Sequence, residues 1–440
     1  MINRRQALLS TLFGAGYVGL RALATGLPAA FLLDPRRALA DQPAPCAGSS
    51  SAAQFIVFNT SGNGDPINAS VPGTYEDANI VHSSDPTMAP TPLTLSGQSY
   101  TAAAPWATLP QNVLDRTCFW HIMTNTPIHP KEPEVLELMG LTASDEMLPS
   151  LLAKQLAPCL GTIQSQPISI GAASPSEALL YGGQALPIIP ALALKATLTS
   201  PAGPLTNLQP LRDQTMNALY DLYKNSANTA QRAYIDSLVT SQEQVRNIRQ
   251  DLLAQLGSIK DNTPASQVTA AVTLIQMKVT PVIAIHIPFG GDNHRDIALQ
   301  AETTQTVAGV ATIAALMSQL ASAGLQDQVT FMSLNVFGRT IGPGNTDGRQ
   351  HNPNHQVSLS IGKPFRGGVI GGVVPLAGDY GALPIVSKTG AGSASGDVPA
   401  VQTLGSFGQT MMAAVGVQSS VISQEITQGT VITGALAAAT

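Results

Sequence analysis

The sequence predicts an α/β protein: a mostly parallel central sheet with helices on both faces, carrying a helical-hairpin insertion. Three observations predict it. The apolar runs QFIVFN (54–59), PVIAIHIPF (281–289) and DQVTFMSLN (327–335) each break into a polar loop rich in Gly or Asn, the mark of buried strands ending at a turn. A long helical segment (297–324), closed by Gly324, links the last two runs, and strand, loop, helix, strand is the grammar of a parallel sheet. Of the 440 residues 44% are hydrophobic, enough for one large α/β core.

The first forty residues stand apart from that domain. Arg4-Arg5 precedes a mildly apolar stretch, and Ala38-Leu39-Ala40 offers a small-x-small cleavage site, which is the order of a twin-arginine export signal. Gly14, Gly16, Gly19 and Arg21 dilute the apolar run below what a spanning helix requires. Residues 1–40 are therefore read as a signal peptide, 41–53 as a flexible linker and 54–440 as a single α/β domain. Cleavage removes five Arg and one Asp, leaving 17 basic against 26 acidic side chains and a formal charge of −9. Such a chain, periplasmic or extracellular, has no electrostatic footprint for nucleic acid or an anionic membrane. No second run is long enough to span a bilayer. The export route carries folded proteins, among them metal-loaded ones.

Between the first strand and the βαβ segment, CFWHIM (118–123) has strand composition. Residues 133–140 and 144–157 have helical spacing, the second with Ser144 as its expected cap. Two amphipathic stretches, 206–224 and 228–256, form the hairpin of about 205–257, expected to pack beside the sheet. A further helix is expected over 264–279. The three cysteines, Cys46, Cys118 and Cys159, are too few for a disulfide framework; one bridge, for instance Cys118 to Cys159, is permitted in an oxidising compartment.

Parallel sheets place ligands outside the carboxyl ends of their strands, and the loops GGDNHRD (290–296) and FGRTIGPGNTDGRQHNPNH (337–355) both belong to that edge. They carry Asp292, His294, His351 and His355. An Asp and a His two apart, with two more imidazoles from another loop, supply N and O donors suited to zinc or a similar divalent metal. The same residues without an ion make a hydrogen-bonded polar loop network. His121 and His286 lie in apolar runs and read as core or near-surface imidazoles, and His82 has no partner in the sequence.

GGDNH, FGRT, GRQH and RGGVIGG, in that order, resemble the exported bacterial family called domain of unknown function 1501, of the alkaline phosphatase and sulfatase-like superfamily. The early strand followed by NGDPINASVPGTYED is similar as well. The resemblance implies an alkaline phosphatase-like fold and a metal-dependent hydrolase acting on a small anionic phosphate or sulfate ester. It assigns Asp292, His294 and His351 to the metal and Arg339 to the substrate's charged oxygens. Asp65 matches the family's first-loop aspartate and His129 the histidine before a helix, and the resemblance implies that both are metal ligands as well. Gln350 and Val336 stand where the family carries Asp and Glu, and Asn352 where it carries Trp. The resemblance therefore implies one metal, zinc- or manganese-like, held by Asp292, His294 and His351 or His355. Thr60 and Ser61, just past the first strand, are the nearest candidate nucleophiles by position, but no motif marks either one and they read first as ordinary turn residues.

Other patterns exclude alternatives. RGGVIGG (366–372) lacks the strand and helix of a phosphate loop and reads as strand and turn glycines. TSGNGD lacks the spacing of a dinucleotide site, and no Gly-x-Ser-x-Gly elbow is present. Beside the hydrolase stands a second expectation, a non-catalytic relative that keeps the fold and binds partners in the cell envelope.

Overall fold

The computed structural model describes residues 54–162, 164–171, 177–198, 209–226, 232 and 250–438. The expected signal peptide, the linker and most of the second hairpin arm lie outside these residues. A seven-stranded sheet forms the centre, built from β1 (Phe55–Ser61), β2 (Thr117–Ile122), β3 (Ile168–Ser169), β4 (Val282–Ile285), β5 (Val329–Asn335), β6 (Gln356–Ile361) and β7 (Gly368–Ile370). Their spatial order is β7-β2-β6-β5-β1-β4-β3. β6 alone runs against its neighbours, pairing antiparallel with β2 and β5, while the remaining pairs are parallel. The sheet is thus mostly parallel, as expected.

Alternation along each strand feeds two cores. Phe55 and Val57 of β1, Ile283 of β4 and Phe331 of β5 face one core, with helices α5 (Pro264–Gln276) and α6 (Gln300–Ser322) covering it. Ile56, Phe58, Trp120 and Leu334 face the other, under α1 (Leu148–Leu160) and α7 (Thr403–Ala414), where Phe407 meets Trp120 edge to face at 5.4 Å. This two-sided burial explains why the strands read as continuous apolar runs, without alternation. Between α1 and α5 lie α2 (Ala191–Leu198), α3 (Gln209–Ser226) and α4 (Gln250–Gly257). α3 and α4 occupy the expected hairpin stretches, and Leu252 and Leu256 of α4 are buried in the first core.

Several local expectations shift. The stretch 133–140 is helical only over Glu132–Leu136, because Leu138 and Met139 take left-handed φ values of 53° and 58°. Ser144 is no cap: it sits at φ 59° in a short turn, and α1 starts after Met147, where Pro149 presets the first-turn backbone. β4 ends at Ile285, so His286 lies just beyond the strand. Ala298 and Leu299 also have positive φ, which delays α6 to Gln300. Cys118 is a free buried thiol while Cys159 is disulfide-bonded, so a bridge between the two does not form. Among the described residues no helix is long and apolar enough to cross a membrane.

Candidate metal centre

Topology collects the candidate residues at one rim. β1, β2, β4 and β5 end there, while antiparallel β6 starts there. Segment 123–131 after β2 carries His129, the loop after β4 carries Asp292 and His294, and the residues between β5 and β6 carry Arg339 and His351. Backbone bonds fasten these loops. Arg349 N donates to Asn293 O at 3.0 Å and Asp296 N to Asp347 O at 3.0 Å. The Asp296 carboxylate accepts from Ala301 N and Glu302 N in the first turn of α6, where the helix dipole favours negative charge. Gly348 permits the approach: its φ is 133°, and a Cβ there would lie 2.3 Å from His294 O.

His129, Asp292, His294 and His351 each offer a donor atom, all within 4.8 Å of one another. The Nε2 atoms of His294, His129 and His351 lie 3.3, 3.7 and 4.0 Å from Asp292 Oδ1. Two of the imidazoles have a fixed tautomer. His129 Nδ1 meets Gly62 O at 2.7 Å and His351 Nδ1 meets Pro127 O at 2.6 Å. A carbonyl only accepts, so Nδ1 is the donor and, in the neutral ring, Nε2 keeps its lone pair toward the cluster. Phe337 forms the floor, stacked on His351 at 4.2 Å and edge-on to His129 at 4.9 Å.

Arg339 is fully buried, and its Nη2 donates to Asp292 Oδ1 at 2.9 Å, to Gly291 O at 3.2 Å and to Asn63 O. Burial pushes the Asp292 carboxyl up, but the Arg339 hydrogen bond and charge, with His294 and His129 adding, outweigh it and hold the group below its usual range. His351 is lowered, first by burial and then by the charges of Arg339 and the other two imidazoles, against its bond to Pro127. Both shifts favour metal-ready forms, an ionised carboxylate and a neutral ring. Three imidazole nitrogens and one carboxylate oxygen suit zinc. His351 Nε2 has no hydrogen-bond partner in the protein, so its lone pair is not consumed by an internal hydrogen bond.

The remaining candidates fall outside this group. His355 is buried beside β6 with Nε2 2.9 Å from His121 Nδ1, while His121 Nε2 donates to Pro72 O at 2.9 Å. With its ring committed to His121, His355 is a core imidazole. Asp65 is also buried, accepting from Ile67 N at 2.9 Å and Val357 N at 2.7 Å, and burial raises it to about 7. It ties the first loop to β6. Ser61 Oγ donates to Gly290 O at 3.2 Å, and Thr60 is nearly fully buried, so neither hydroxyl opens on the cluster. Val336 lies in the apolar core and supplies no donor, and Gln350 is exposed.

Sequence reasoning missed the supports: the Gly62 and Pro127 carbonyls, Phe337, and the Arg349–Glu302 pair. Backbone carbonyls leave no sequence signal. Arg349 stood in the GRQH motif and Phe337 in FGRT, the two visible signs. No model of a known protein family matches the chain, and no curated protein matches it.

Proposed function

We propose that this protein is a metal-dependent hydrolase of small anionic phosphate or sulfate esters, with an alkaline phosphatase-like fold and a single zinc- or manganese-like ion. The observation that carries it is the convergence of three Nε2 atoms, two of them in a fixed tautomer, on Asp292. A divalent ion held by His129, Asp292, His294 and His351 supplies Lewis acidity toward an ester's oxygens. Arg339 already balances Asp292, and imidazoles bind a metal only through the uncharged ring, so with an ion bound the protein's own groups would add little net charge at this point. The excess charge of a divalent ion is thereby left to attract an anionic substrate. Arg339 acts from beneath, holding Asp292 in place, and not by touching the ester. Because Thr60 and Ser61 are turned inward, water is the attacking group, reaching a cluster whose Asp292 side chain is 48% exposed.

Hydrolysis of 4-nitrophenyl phosphate and sulfate by zinc- or manganese-loaded protein tests the proposal. Turnover is expected for one ester class, with a loss of at least ~100-fold in His294→Ala. Equal rates in the two proteins would sink it. A second reading, a non-catalytic envelope protein, is favoured by Gln350 and Val336, which put no carboxylate where the resembled family has two.

A further inference from the structure

Between the end of β4 and the histidine cluster the chain passes through Gly290 and Gly291, and Asp292 follows at once. Glycine loses more backbone freedom on ordering than any other residue, yet this pair carries the cluster's one carboxylate, on a side chain 48% exposed. Close approach dictates the composition. At Gly290, with φ 81°, a Cβ would lie 1.9 Å from Ser61 Oγ, and at Gly291 it would lie 2.0 Å from Gln305 Nε2. No larger residue fits at either position, so a flexible dipeptide has to be held still by its neighbours.

Three side chains hold it. Ser61, fully buried at the end of β1, donates from Oγ to Gly290 O at 3.2 Å. Gln305, near the start of α6, accepts at Oε1 from Gly291 N at 3.2 Å. Arg339 Nη2 completes the set, donating to Gly291 O and to Asp292 Oδ1. The flanks are fastened as well. Phe289 is buried against α6 where Gly309 leaves room, since a Cβ there would lie 2.2 Å from the Phe289 ring, and Asn293 O accepts from Arg349 N. Ser61 also reaches a second ligand. Its Oγ accepts from Asn63 N at 3.2 Å, closing the turn whose Gly62 carbonyl fixes the His129 tautomer at 2.7 Å.

We propose that Ser61 and Gln305 are positioning residues of the metal centre. They fix the Gly290–Gly291 backbone before an ion arrives, so Asp292 meets the three imidazoles with its ordering already complete. Ser61 further ties that backbone to the support of His129. The inference rests on the reading of the cluster as a metal site. Neither side chain touches the ion or the ester; each acts through the backbone that carries a ligand, and removing groups that orient ligands weakens metal binding by about 10–100-fold.

The test is calorimetric titration of the full chain with zinc chloride after chelator treatment, for wild type, Ser61→Ala, Gln305→Met and Gln305→Glu. Gln305→Met keeps the side chain's length and loses the acceptor, whereas Gln305→Glu keeps an oxygen for Gly291 N. Ser61→Ala and Gln305→Met are expected to bind zinc at least ~10-fold more weakly, and Gln305→Glu no more than about twofold more weakly. Without zinc, backbone hydrogen exchange through 290–292 is expected to speed up in the same two variants only. A merely structural role would lower Tm and leave the zinc affinity of the folded protein unchanged, which overturns the proposal, as does an equal loss in Gln305→Glu and Gln305→Met. A wild type that binds no zinc instead sinks the metal reading itself, and this inference with it. If Ser61→Ala does not fold, the Gln305 pair decides alone.

Discussion

Arg349 and Glu302 form a buried ion pair, with side chains 0% and 1% exposed. Arg349 Nη2 donates to Glu302 Oε1 at 3.0 Å and Nε to Oε2, while Nη1 and Nη2 also bond Thr340 O at 3.0 Å and Val81 O at 2.8 Å. One side chain thus fastens α6, the segment carrying Arg339, and the loop carrying His351. Burial raises the Glu302 carboxyl, and Arg349 is the main force opposing that rise. Arg349→Ala leaves this carboxyl uncompensated and removes donors from two carbonyls, which is expected to cost about 3–5 kcal/mol. Replacing both partners, as Arg349→Met with Glu302→Leu, removes the stranded charge, so the double variant is expected to fall short of the sum of the single changes by about 2 kcal/mol. Urea unfolding followed by circular dichroism and by fluorescence of the two tryptophans measures the cycle. A cost for Arg349→Ala below about 1 kcal/mol, or effects that add to within about 0.5 kcal/mol, would refute the clamp.

Gly348→Ala forces a Cβ to within 2.3 Å of His294 O at φ 133°; a loss above about 1 kcal/mol is expected, with at least tenfold weaker zinc binding by calorimetry, and unchanged zinc binding would contradict the loop contact. The buried pair His121 and His355 is held neutral, chiefly by burial, His121 down to about 4 and His355 well below its usual value. Their folded values are depressed, so their contribution to stability is present above the ordinary histidine value of about 6.5 and lost as pH falls through the folded values. Nitrogen-15 NMR at pH 5.5 should show two neutral rings, and an imidazolium at either position would contradict the burial argument. Asp65, raised to about 7 by burial, runs the other way, its contribution present below the ordinary carboxylate value and lost as pH rises through about 7. Burial also pushes the Cys118 thiol up to about 12; Ellman's reagent should leave it unmodified until denaturant is added, and rapid reaction in the native protein would show an opening at β2.

The fold was legible where burial dictated composition. β1, β4 and β5 are covered on both faces, and their unbroken apolar runs announce it. The helix boundaries failed where backbone sterics overrode side-chain pattern: Leu138, Met139, Ala298 and Leu299 take left-handed conformations that no apolar periodicity encodes. In the site, Asp292, His294 and His351 followed from strand-end placement. His355, four residues after His351, did not belong, because a turn at Pro353 and Asn354 separates them and sets the later ring, just ahead of β6, into the core. Its partner, His121, is 234 residues away, a distance that spacing cannot read. The resemblance supplied His129 and also Asp65, yet only the first has an open rim position. The second is spent on two backbone amides.

Metal content of the protein, purified without chelator and analysed beside His294→Ala and His351→Ala, tests the central claim most directly. The predicted result is about one equivalent of zinc or manganese in the wild type, lost in both variants. A wild type that holds neither metal, and whose thermal stability is unchanged when either is added, would contradict it and leave the three imidazoles as a hydrogen-bonded polar rim.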